Sequence, residues 1–120
     1  MAEASPLAAL LASIAREPQR WRWQREAGDA QALSPALQRW LVRLDEATVG
    51  HWRRAVLLAA VAADAPPLRL LRDGVPQLML RLGPEAVWAE PADAAQPAAQ
   101  APVAAALIAE LKQGLADAAP

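Results

Sequence analysis

The chain has 120 residues, with twelve Lys and Arg against thirteen Asp and Glu, one His and no Cys, for a formal net charge of −1. That is one domain's worth of chain; its balanced charge argues against a protein that coats nucleic acid, and the missing Cys removes disulfides, thiolate catalysis and zinc–thiolate clusters. Thirty-two Ala, eighteen Leu, eleven Arg beside a single Lys, and no Asn, Tyr or Phe suggest a GC-rich bacterial genome, and leave five Trp as the only aromatic surface.

Residues Met1 to Pro6 lack the positive stretch of a secretory signal and carry Glu3 instead. The longest apolar run, Ala55 to Ala63, is about half of a bilayer span, so a soluble cytoplasmic protein is expected. Ser5-Pro6 is a helix-start pair, and Leu7, Leu10, Leu11 and Ile14 then mark one helical face that Pro18 stops. Trp21 and Trp23 alternate with Arg20, Arg22 and Gln24, the period of a short strand, before a turn at Gly28-Asp29. Ser34-Pro35 starts a second helix with Leu37, Trp40, Leu41 and Leu44 on its apolar face. Gly50 separates it from a third, from His51 to Ala63, which is apolar almost all round after Arg54 and is expected at the centre of the core.

Beyond Pro66-Pro67 the pattern turns to β. Leu68 to Leu82 surround Asp73-Gly74, a dipeptide suited to a tight type I′ hairpin, with Pro76 marking an edge. Gly83-Pro84 makes a second turn into a short strand, Ala86 to Ala89. Residues 91–102 read as a Pro/Ala-rich linker, and Val103, Leu107, Leu111 and Leu115 line a C-terminal amphipathic helix over 103–118. The expected fold is a single α+β domain. About four helices pack with a small antiparallel meander of two or three strands; residues 1–90 form the core, and the last helix docks on it.

Little in this inventory points to catalysis. His51 is the only imidazole and has Ala47 and Ala55 four residues either side, so no carboxylate on its own helix face would orient it. Asp45 and Glu46 are adjacent, which on a helix points them roughly 100° apart. No nucleophile elbow, phosphate loop or metal-ligand spacing is present, so no catalytic residue, cofactor, metal or small-molecule substrate is expected.

The segment with most character is Arg20-Trp21-Arg22-Trp23-Gln24-Arg25. It reads either as a strand burying two indoles while Arg stems cover the other side, or as a platform that stacks bases and pairs phosphates or lies on a membrane. Charge is unevenly spread: residues 16–54 hold eight Arg against five acids, whereas residues 55–120 hold four bases against seven acids. Trp88 is a further candidate partner anchor, and Leu107 and Leu111 would be others if the last helix swung out to a partner or a second copy.

Two function classes follow. Helix, strand, helix, helix and hairpin in that order is similar to a winged-helix DNA-binding domain, with the helix after Gly50 in the major groove. That resemblance implies nucleic-acid contact through His51, Arg53, Arg54 and the Arg/Trp segment. Such a reader usually carries a basic surplus, and this chain has none. The expectation favoured here is a non-catalytic protein–protein interaction module: an adaptor, a secretion-type chaperone or an accessory subunit. Helices with a small antiparallel sheet and mild acidity resemble small bacterial secretion chaperones in general outline. The candidate partner-binding residues are Arg20, Trp21, Arg22, Trp23, Arg25, Trp88, Leu107 and Leu111, with another protein or self-association as the expected partner.

Overall fold

A computed structural model describes residues 6–25, 28–55, 66–93 and 95–119. In chain order these form α1 (Pro6–Arg16), a 3-10 turn (Pro18–Arg20), β1 (Trp21–Gln24), β2 (Gln31–Ala32), α2 (Pro35–Thr48), β3 (Arg53–Arg54), β4 (Leu68–Arg72), β5 (Val75–Leu82), β6 (Ala86–Pro91), β7 (Ala99–Pro102) and α3 (Ala105–Ala118). All seven strands join one antiparallel sheet in the order β2-β1-β4-β5-β6-β7-β3.

Local chemistry explains the regular pieces. Ser34 Oγ accepts from Leu37 N at 3.1 Å and Pro35 opens α2, so one of the unpaired N–H groups at that helix start is satisfied. Asp73 and Gly74 have φ of 53° and 82°, the two positive values a type I′ turn requires between β4 and β5. Strand β5 is interior, yet its pairing with β6 begins only at Leu78↔Pro91, so Pro76 lies on a stretch paired on one side.

The sheet places alternate side chains on opposite faces. Trp21, Trp23, Leu68, Leu70, Leu78, Leu80, Leu82, Val87 and Ala89 point to the inner face. There they form one core with Leu7 and Ile14 of α1, Leu37, Trp40, Leu41 and Leu44 of α2, and Ile108, Leu111 and Leu115 of α3. Helix α3 is fixed to α2 by the Trp40 indole, whose Nε1–H donates to Leu111 O at 2.9 Å. An exposed Arg43–Glu110 ion pair at 2.9 Å adds to the same seam.

The expected small meander is overturned: the sheet has seven strands, and the described residues hold three α-helices rather than about four. Two further differences accompany this. The chain leaves α2 through Gly50 at φ +79°, and Arg53 and Arg54 pair with Gln100 and Ala99, so no helix starts at His51. The remainder of that predicted helix, residues 56–63, lies outside the described residues. Within the stretch read as a linker, Pro91 closes β6 and Ala99–Pro102 form β7. Among the described residues no helix is long and apolar enough to cross a membrane.

Candidate functional site

The Arg/Trp segment divides between the two faces of β1. Trp21 and Trp23 are buried under the helices at 1% and 4% exposure, which leaves no indole there for a base or a headgroup. Arg22 points outward and is exposed. Arg20 is held at the tip of the β4–β5 hairpin: its Nε lies 3.1 Å from both Asp73 oxygens, its Nη2 makes a further contact with Oδ2, and its Nη1 reaches Glu17 Oε2 at 3.0 Å. Arg72 joins Glu17 at 3.3 Å. The hydrogen bonds from Arg20, with its positive charge, hold the Asp73 carboxyl below the usual carboxylate range, and the same bonds raise the Arg20 guanidinium. Arg25 Nη2 lies 3.4 Å from Ala119 O, at the end of α3. Arg20 and Arg25 therefore tie β1 to its neighbours, and among the Arg of this segment only Arg22 is left for a partner.

Leu111 is buried in the core and Leu107 is half-buried against it, so neither offers a free apolar anchor while α3 is packed. Trp88 faces outward from β6 but is only 5% exposed, covered in part by Ala55, Ala86 and Ala98. Its Nε1–H is buried and finds no acceptor among the described residues. Arg53 and Arg54 are exposed on the edge strand β3, away from any helix start.

Helices α1, α2 and α3 pack on one face of the sheet, and strand register sets the rows of the other. One row across that outer face runs Gln24, Arg69, Met79 and Glu90. The next runs Arg81, Trp88, Gln100 and Arg53. With Arg22, which pairs with Leu71, these rows bring four Arg to one face, and among the described residues of these strands Glu90 is the carboxylate that joins them. Arg81 Nη2 approaches the Met79 sulfur at 3.9 Å. Arg22, Arg53, Arg69 and Glu90 make no ion pair among the described residues. At one end of this face an open cavity of about 200 Å³ is lined by Arg69, Pro76, Met79, Glu90, Pro91 and Ala92, with Leu78 beneath.

Sequence reading missed Arg69, Met79 and Glu90. The signal that marks them is the same period of two that marks the core: once Leu68, Leu70, Leu78, Leu80 and Val87 are assigned inward, the intervening positions must meet on the other face. Among the described residues no three His, Asp or Glu gather as metal ligands. Comparison with known proteins returned no matching family model, no matching curated protein and no matching solved structure.

Proposed function

We propose that this chain is a cytoplasmic, non-catalytic protein-binding module whose contact surface is the outer face of the sheet. The observation that carries the reading is the gathering of Arg side chains on the outer face of the sheet. Helices α1, α2 and α3 pack on the inner face, while the outer face gathers Arg22, Arg53 and Arg69, which make no ion pair among the described residues, around half-buried Met79, although the whole chain is close to neutral. Guanidinium groups on a rigid sheet suit bidentate pairing with carboxylates, so the partner presents an acidic surface. Nucleic-acid binding finds less support. The Trp side chains that would stack bases are buried, and Arg53 and Arg54 are extended on an edge rather than placed on a groove-reading helix.

The test is affinity capture from the native host with the unaltered chain and with the triple variant Arg22→Glu, Arg53→Glu, Arg69→Glu. A protein retained by the first and lost by the second, then remade pure and shown to bind only the first, supports the reading. All three positions are exposed or half-buried, so the melting temperature of the variant should stay close to that of the parent. Equal retention by both proteins would move the contact surface elsewhere, and steeply salt-dependent binding of DNA by the unaltered chain would replace the protein partner.

A further inference from the structure

Arg69, Met79 and Glu90 stand in one register row on three neighbouring strands, so about 4.8 Å separates each backbone from the next. A guanidinium and a carboxylate thus flank a thioether. Oppositely charged side chains at that reach would ordinarily close on each other. Here neither finds a partner among the described residues, and the cavity of about 200 Å³ opens between them. Its remaining walls are apolar: Pro76, Pro91 and Ala92, over Leu78. Pro76 and Pro91 also carry no N–H, so that wall offers no backbone donor at those positions.

We infer that this groove receives an extended segment of the partner that carries an acidic, an aliphatic and a basic side chain at alternate positions. In an extended chain residues i, i+2 and i+4 share one face. Crossing the sheet strands, such a segment sets its carboxylate on Arg69, its aliphatic side chain on Met79 and its cation on Glu90. Its alternate positions repeat at about 6.7 Å against about 4.8 Å for the row, so the long Arg69 and Glu90 side chains splay outward to meet it. The groove's charges fix the direction in which the segment lies, because the reversed orientation brings like charges together at both ends. Met79 is unbranched and polarisable, which lets it fit several aliphatic shapes, so the charges select the sequence and the thioether tolerates variation between them. This inference rests on the reading of the chain as a protein-binding module, and it narrows the partner from an acidic surface to a charged-aliphatic-charged motif.

The experiment is an NMR titration of the ¹⁵N-labelled full chain with the acetylated, amidated peptide Glu-Thr-Leu-Thr-Lys. The uncharged peptide Gln-Thr-Leu-Thr-Gln and the doubly basic Lys-Thr-Leu-Thr-Lys serve as comparisons. The expected result is saturable shifts centred on the amides of Arg69, Met79, Glu90 and Ala92, with the mixed-charge peptide bound most tightly. Arg69→Gln and Glu90→Gln should each weaken that peptide by about two- to fivefold, the usual scale for one exposed ion pair. Arg69→Glu should turn the preference toward the doubly basic peptide, an outcome that a loss of folding would not produce. Equal affinity for mixed-charge and uncharged peptides, shifts centred elsewhere, or an unchanged preference in Arg69→Glu would overturn the inference. A partner that is captured in an Arg22- and Arg53-dependent way, while the groove ignores all three peptides, overturns the groove alone and leaves the proposed function standing.

Discussion

At the scale of single residues, positions 73 and 114 test whether the contacts described above contribute to stability. Asp73 sits at φ 53° in a tight turn and is bound by Arg20. Its carboxyl titrates below the usual range in the folded chain, so its contribution is present above about pH 4 and is lost as the pH falls through the lower folded value. Asp73→Asn keeps the turn, since Asn accepts positive φ as readily and Asn-Gly favours the same hairpin, but it removes the charge. The melting temperatures of parent and variant should differ at neutral pH and converge as the pH is lowered from 5 to 2; added salt should narrow the neutral-pH gap, because the pair is exposed. Gly114 poses the opposite case. Gly→Ala inside a helix ordinarily adds up to about 1 kcal/mol. Here the new Cβ would lie 3.1 Å from Trp40 Cδ1, and that indole is held by its hydrogen bond to Leu111 O. Gly114→Ala should therefore lower the melting temperature; a rise would show that the indole gives way.

At the scale of elements, legibility follows whether the signal is local. Helix α2 is legible because cap, proline and apolar period all lie within fifteen residues, and the structure uses each of them. Ser34→Ala should accordingly cost about 1 kcal/mol in a denaturant melt, since Leu37 N loses its acceptor. The hairpin about Asp73-Gly74 is legible for the same reason. Strands β3 and β7 are not, because each exists through a partner distant in sequence. Arg53-Arg54 has weak strand preference, and Ala99–Pro102 is a Pro- and Ala-containing tetrapeptide. They are strands because β6 offers an open edge to β7, and β7 then offers one to β3. Of the candidate surface, Arg22 is visible as the outward member of an alternating strand. The same period puts Arg69, Met79 and Glu90 on the outer face, but they stand in one row only through the register set between their strands.

At the scale of the whole molecule, one core joins α1, α2 and α3 to the sheet, and that bears on the part α3 plays. A helix following a Pro- and Ala-rich stretch invites treatment as an appendage that can be removed. Its buried side chains argue otherwise: Ile108, Leu111 and Leu115, with Ala119 just beyond, belong to the same cluster as Trp40, Leu41 and the inward residues of β1, β4, β5 and β6. Removing residues 103–120 would strip one side of Trp40, take away the acceptor of its indole N–H, and remove the contacts of Ser34 and Arg25 with the end of α3. Each large buried aliphatic side chain deleted costs about 2–5 kcal/mol, so losing three together matches or exceeds the roughly 5–15 kcal/mol that holds a domain folded. A chain ending at Pro102 should therefore show no cooperative thermal transition, and its indole fluorescence should resemble that of the urea-unfolded full chain. The point mutant Leu111→Ala, by contrast, should unfold in a single transition at lower temperature. If the truncated chain melted cooperatively near the parent's temperature, the sheet with α1 and α2 would be self-sufficient, and α3 would become available for exchange with a partner.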